Sequence, residues 1–431
     1  MAVCRLRRPE SFDPSICGTV NGIMSGMPLR RASRAVSRAA RAAAALGVCL
    51  SGVGFATAVG GSTVPLAKGA YVGAAAPARS AAFDAATGTR SAIAADYLPA
   101  NSGWIGMDGQ GGSLSWLLAH GWNGTRYRLS LGVPIIPTDS AGHPVGTLAA
   151  GAKGAYNAHF VTLARTLVAA GESNTYLRLG WEFDGTWTAW KATTPKAEAN
   201  FAAYFRQIVS AIRSVGGEHF KFVWNPDAAA FVSATYNVGP AYPGNRYVDE
   251  VGLDAYDQSW VTPLTPANAW SQTVLPALTA AASFAQAHGK PIAVTEWGTA
   301  IRGDGHGLGD DPLYVSNMIG WMRDPVHNVI FETYFDYDGR GTNSVITGGH
   351  FPDSLVAFRA AFKRTNVGTS GRGLNTQWLI LAAVVFAGGI GLRWTRRVRR
   401  NGRVEPAPRR VYPPAQDVLR TPVREWAEQT R

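Results

Sequence analysis

Tyr176-Leu-Arg-Leu-Gly-Trp-Glu-Phe-Asp-Gly-Thr-Trp-Thr-Ala-Trp190 runs from an apolar stretch to a single acid, Glu182, and then into a turn rich in Gly and Trp. Read as a strand it has period two, so Arg178, Gly180 and Glu182 are expected on one face, with a cation and a carboxylate pointing the same way. Trp181, Phe183, Trp187 and Trp190 surround the acid with flat apolar faces. Such faces suit the C–H faces of sugar rings, and by desolvation they raise a carboxyl pKa. An isolated Arg and Glu at a strand end reads equally well as a structural ion pair.

A second stretch changes that balance. Lys290-Pro-Ile-Ala-Val-Thr-Glu-Trp-Gly298 is another short apolar strand that ends in a lone acid, Glu296, followed by Trp297. Its alternation predicts Ile292, Val294 and Glu296 on one face. Two carboxylates at the ends of two buried strands, each beside tryptophan, are the minimum set for cleaving a glycosidic bond.

Between and around these stretches, strand-like runs recur at Gly69 to Ala75, Ala92 to Leu98, Arg126 to Ile136, Thr175 to Trp181, His219 to Asn225, Val248 to Tyr256, Pro291 to Glu296 and Asn328 to Asp336. Helical periodicity separates them. Phe201, Tyr204, Phe205, Ile208, Val209 and Ile212 fall at i, i+3, i+4, i+7, i+8 and i+11, and Phe160, Leu163, Ala164, Leu167 and Val168 repeat the pattern earlier. Eight strands alternating with helices predict an α/β fold, a closed (β/α)8 barrel, which places its chemistry at the C-terminal strand ends. Glu182 then ends the fourth strand and Glu296 the seventh, in one mouth. Trp224 after the fifth strand and Tyr337 after the eighth are candidates for flooring a sugar subsite, and Tyr256 for holding a carboxylate through its hydroxyl. Asp227, Asp254 and Asp257 read as helix caps or loop hydrogen-bonders.

The net charge of +12 belongs to the ends of the chain. Residues 1–60 hold 8 Lys+Arg against 2 Asp+Glu, residues 375–431 hold 11 against 4, and the 22 basic and 23 acidic residues between them nearly cancel. The nearly neutral middle argues against nucleic acid as a partner. Residues 1–60 read as a signal-peptide region: Leu29 to Arg41 is basic, Ala42 to Val59 is apolar and small, and Met24 and Met27 offer alternative starts. Residues 61–366 form the barrel, 367–377 a linker, 378–394 a single transmembrane helix near the lower length limit for a span, and 395–431 a basic tail. The arginines from Arg393 to Arg400 predict a cytoplasmic tail and an extracellular barrel on a single-pass cell-membrane protein. Cys4, Cys17 and Cys49 all precede the expected cleavage site, so the outer domain has no thiol chemistry. The histidines show no ligand spacing, and no metal or other cofactor is expected. The expected partners are a polysaccharide and the membrane, with the chain a monomer.

Four ordered motifs carry a family resemblance: Arg178-Leu-Gly-Trp-Glu-Phe-Asp-Gly-Thr-Trp187, Phe222-Val-Trp-Asn-Pro226, Tyr242 to Tyr256 and Pro291-Ile-Ala-Val-Thr-Glu-Trp-Gly298. Together they resemble glycoside hydrolase family 26, the β-mannanase family, from about Gly69 to Phe362. The resemblance implies a retaining mechanism with Glu182 as acid/base and Glu296 as nucleophile, and a Tyr256 that orients the nucleophile. The candidate substrate-binding residues of the chain are Arg178, Trp181, Trp187, Trp224, Tyr256, Trp297 and Tyr337. Where the family usually reads His, Glu, Met, Asn, Gly, this chain reads Trp181-Glu-Phe-Asp-Gly185. Similar members of the family act on mannan, β-1,3-xylan or mixed-linkage β-glucan. Hydrolysis and transglycosylation use the same residues, and a barrel that binds glycan without cutting it is the reading from another class.

Overall fold

The computed structural model describes residues 66–339 and 341–363. The expected signal region, linker, transmembrane segment at 378–394 and basic tail lie outside the described residues. Among the described residues no helix is long and apolar enough to cross a membrane.

Eight strands close in chain order into a parallel barrel: β1 (Ala67–Tyr71), β2 (Ile93–Tyr97), β3 (Arg128–Val133), β4 (Tyr176–Leu179), β5 (Lys221–Trp224), β6 (Glu250–Tyr256), β7 (Ile292–Gly298) and β8 (Val329–Phe335). β8 returns to β1 in register, with Ala67 opposite Phe331 and Tyr71 opposite Phe335. All eight fall on or beside the expected stretches, and the domain is a (β/α)8 barrel. Apart from β7, the strands are shorter than the expected stretches, and β4 stops at Leu179 before its acid is reached.

The helices between strands seal the outside. The longest, α1 (Pro195–Ile212), starts at Thr194, whose hydroxyl accepts the Ala197 N–H, and Pro195 fills the first turn. Its stripe of Phe201, Tyr204, Phe205, Ile208, Val209 and Ile212 is fully buried, and each such side chain contributes about 1.5–3 kcal/mol by leaving water. A second helix, α2 (Pro312–Arg323), is capped by Asp311, whose carboxylate accepts from the N–H groups of Leu313 and Tyr314.

Inside the barrel, an apolar plug of Ile93, Tyr176, Val223, Ala293 and Phe331 fills one layer. Beyond it toward the C-terminal strand ends the interior turns polar, with Arg178, Asn225, Asp254 and Thr295 all buried. Two glycines make this possible. A Cβ on Gly132 would lie 2.5 Å from the Tyr97 ring, and one on Gly252 would lie 2.8 Å from Asn225, so both positions leave room for inward side chains.

Candidate active site

Arg178 is inward on β4, as its period predicts, and is fully buried. Its Nη2 donates to Glu296 Oε1 at 2.5 Å and to Asp254 Oδ2 at 3.1 Å, its Nε to Asn225 Oδ1 at 2.7 Å, and its Nη1 to the Tyr97 hydroxyl at 3.1 Å. The guanidinium is thus consumed by the protein. It was expected to bind substrate; fully buried among four protein acceptors, it instead holds the carboxylate of Glu296.

Glu296 reaches the interior by a route that simple alternation does not give. Ala293 and Thr295 face inward, Ala293 in the plug and Thr295 donating to Asp254 Oδ1 at 2.6 Å. Ile292 and Val294 pack outward in the main core, so the expected shared face of Ile292, Val294 and Glu296 is wrong. The register shifts on both sides of β7, between Leu253 and Asp254 of β6 and between Val294 and Trp297 against β8. This irregularity lets two consecutive residues, Thr295 and Glu296, project into the barrel. Tyr256 donates to Glu296 Oε2 at 2.7 Å, and Tyr97 donates to Oε1 at 2.5 Å. Burial, ahead of the neighbouring charges, pushes both phenols well above their ordinary value, so both stay neutral donors.

Glu182 arrives by a turn. Gly180 and Glu182 both take left-handed backbone conformations, with φ of 61° and 48°, and this carries the acid from the strand end over the mouth. Its Oε2 accepts the Trp187 Nε1–H at 2.9 Å. Burial first, then the charges of Glu296, Asp254 and Asp227, hold its carboxyl well above the ordinary range against that hydrogen bond. One carboxylate oxygen from each of Glu182, Asp254 and Glu296 lies within 4.8 Å of the others. Burial and Glu296 likewise raise Asp254, against the pull of Arg178.

The aromatic candidates divide. Trp187 is half-buried on Glu182. Trp181 is 6% exposed and packs its ring on Tyr97 at 5.2 Å and Trp190 at 4.7 Å, a wall behind the Tyr97 hydroxyl. Tyr337 is half-buried and joins the mouth through Tyr71, 5.2 Å away, which in turn meets Tyr97 edge-on at 4.9 Å. Trp224 and Trp297 do not line the mouth. Both are fully buried between strands and helices: Trp224 stacks on Phe284 and donates to the Ala241 carbonyl, and Trp297 stacks on Phe358 and donates to Glu332 at 2.6 Å. The pleat decides this for Trp224, because inward Val223 and Asn225 flank it.

Sequence reading also missed Tyr97, Asn225 and Thr295 and misjudged Asp254. Asp227 does cap a short helical turn, accepting from the Ala229 N–H at 2.7 Å, whereas Asp254 is an interior ion-pair partner of Arg178. Strand-end position was the available signal for Tyr97, two residues beyond inward-facing positions of β2. Replacing Tyr97 or Tyr256 by Phe is expected to lower kcat/KM about 10- to 100-fold each. This is the scale of one hydrogen bond to a charged group, about 1.5–3 kcal/mol, and steady-state kinetics on the wild-type substrate would check it.

Residues 170–293 match the sequence model of glycosyl hydrolase family 26. The chain is 27% identical over 214 residues to endoglucanase H of Acetivibrio thermocellus, covering 48% of this chain and 22% of that protein. It is 28% identical over 169 residues to a mannan endo-1,4-β-mannosidase of Bifidobacterium adolescentis, covering 38% of this chain and 16% of that protein. The chain therefore spans less than a quarter of the length of these curated relatives. Among solved structures it is similar to the catalytic domain of a family 26 endo-β-1,4-mannanase from Bacillus sp. JAMB-750, with a TM-score of 0.49, 19% identity and coverage of 69% of this chain and 85% of that one.

Proposed function

We propose that the barrel is a β-mannanase-like domain of glycosyl hydrolase family 26, the family whose model matches residues 170–293, and that the protein is a retaining endo-β-glycosidase. Its substrate is a β-linked polysaccharide of the mannan, β-1,3-xylan or mixed-linkage β-glucan class. The observation that carries the mechanism is the approach of Glu182 and Glu296 oxygens to within 4.8 Å. Retaining enzymes hold the two carboxyl groups about 5–5.5 Å apart, whereas inverting ones leave about 6.5–9.5 Å for a water molecule.

The roles follow from the surroundings. Glu296, clamped by Arg178, Tyr97 and Tyr256, attacks the anomeric carbon as the bond to the leaving oxygen breaks. Glu182, protonated because its site is dry and acidic, gives that oxygen its proton. It then takes a proton from the water that hydrolyses the glycosyl ester and frees Glu296. Trp187 and Tyr337, both half-buried at the mouth, offer apolar faces to the sugar rings around the scissile bond. A cell-surface location is part of the proposal and is supported by the export signal and C-terminal anchor expected from the sequence. Protease treatment of intact cells, cutting the barrel but sparing the tail, would test that placement.

The experiment for the function is reducing-end release by the full chain on mannan, β-1,3-xylan, mixed-linkage β-glucan and an envelope glycan extract. Silence on all of them with retained glycan binding would replace the hydrolase by a binding barrel. For Glu182 the sign of the pH dependence is fixed: a raised pKa keeps the proton to higher pH, and activity falls as pH rises through that value. Glu182→Gln is expected to slow polysaccharide cleavage about 10²- to 10⁴-fold. A 2,4-dinitrophenyl glycoside should lose far less in the first step, since its leaving group departs without a proton. Equal losses on both would remove Glu182 from the acid role.

A further inference from the structure

Glu182 occupies a conformation, φ 48°, that L side chains adopt at a cost of about 1–3 kcal/mol, so its surroundings must impose it. Two bonds from the loop after β5 do so. The Glu182 N–H donates to the Asn225 carbonyl at 2.8 Å, and the Asp227 N–H donates to Asp184 Oδ1 at 3.0 Å. The Gly185 N–H closes the turn on the Glu182 carbonyl at 3.0 Å. Asp227 is itself anchored, capping Ala229 and bridging to Asp254 of β6.

We propose that Asp184 and Asp227 form a latch that positions the acid: Asp184 fastens the left-handed turn to the β5 loop, and Asp227 supplies a negative charge facing Glu182. The proposal rests on the hydrolase reading for its kinetic consequences and on the geometry alone for its placement.

The charges around the latch are these. Glu182 faces Glu296, Asp254 and Asp227 and the Trp187 N–H, while Arg178 is spent on Glu296 and Asp254. Asp184 faces Asp227 and Tyr236. Burial raises both latch acids, and Asp184 further because the Asp227 charge adds to it. Asp184 therefore keeps its proton to higher pH than Asp227 does. A negative neighbour disfavours ionisation of Glu182, so removing it must lower the pH at which Glu182 gives up its proton.

Three variants of the full chain separate latch from scaffold. Asp184→Ala should lower kcat/KM for the polysaccharide about 10²-fold, the scale of a lost general acid, while kcat/KM for a 2,4-dinitrophenyl glycoside of the same sugar, which reports the first step alone, stays within about threefold. Asp184→Asn, which keeps an acceptor for the Asp227 N–H, should restore most of the polysaccharide rate. Asp227→Asn should move the alkaline limb of kcat/KM down by about one pH unit. It should move the ¹³C titration midpoint of the Glu182 carboxyl, assigned by its loss in Glu182→Gln, by the same amount. Parallel losses on both substrates in Asp184→Ala, with no rescue by Asn, would make Asp184 merely structural. An unmoved midpoint in Asp227→Asn would overturn the charge. A chain inactive on every glycan yet showing the midpoint shift would remove the hydrolase reading and leave the latch standing.

Discussion

Glu296→Ala is expected to reduce polysaccharide hydrolysis on the order of 10⁵-fold while leaving the barrel folded. The magnitude is that of deleting a covalent nucleophile whose partners act as a unit with it. The fold should survive because removing this acid leaves Arg178 paired with Asp254 and bonded to Asn225, and its Tyr97 contact remains. The vacated space lies at the mouth rather than deep in the core. Two further readings make the result specific. Azide should restore turnover and yield a glycosyl azide of inverted configuration, because a small nucleophile can enter where the carboxylate stood. Proton NMR of the wild-type reaction should show the first product with the anomeric configuration of the substrate. An inverted wild-type product would overturn the double displacement, and a variant with near wild-type rates would show that Glu296 is not the nucleophile.

The second large effect concerns Arg178, which carries no exposed surface and holds two acids and two neutral groups at once. Arg178→Met is expected to cost about 3–5 kcal/mol of stability, the range for removing one partner of a buried ion pair, and to lower the melting temperature on the order of 10 °C. Activity should fall with it, since Glu296 loses the cation that fixes its orientation. The pH dependence has a definite sign. Burial and Glu296 already raise Asp254 above its unfolded value, and loss of Arg178 raises it further. The cost of keeping such a group ionised is absent below the ordinary carboxyl range and grows as pH rises from its unfolded toward its folded pKa, so the variant falls further behind wild type as pH rises. Thermal melts of variant and wild type from pH 3 to 8 would measure it. A gap that stays constant across this range would mean that Arg178 contributes packing rather than charge.

How far the site was legible depended on how each side chain reaches it. Arg178 was placed by alternation because it lies within a regular strand, β4, where period two holds. Glu182 and Glu296, expected in one mouth, do meet there, but neither arrives by the alternation that suggested it. One is delivered by a left-handed turn beyond the strand, and the other by a register shift that turns two consecutive residues inward. Tyr97, 199 residues from the Glu296 it touches, left only a strand-end signal, because nothing local records a partner that distant. Trp224 and Trp297 misled because a tryptophan beside a motif looks the same whether its strand turns it toward the mouth or toward the helices.

By itself, the sequence determined the eight strand stretches, their alternation with helices, the two acids proposed for catalysis and the concentration of charge at the chain ends. These follow from local periodicity and composition, which each segment carries within itself. The tertiary structure alone decided which carboxylates meet, which cation and phenols hold them, and which aromatics face the cleft. Closing a barrel brings together side chains from β2, β4, β6 and β7. A single irregular turn or shift in register reverses the facing of everything after it, and no periodicity reports that in advance.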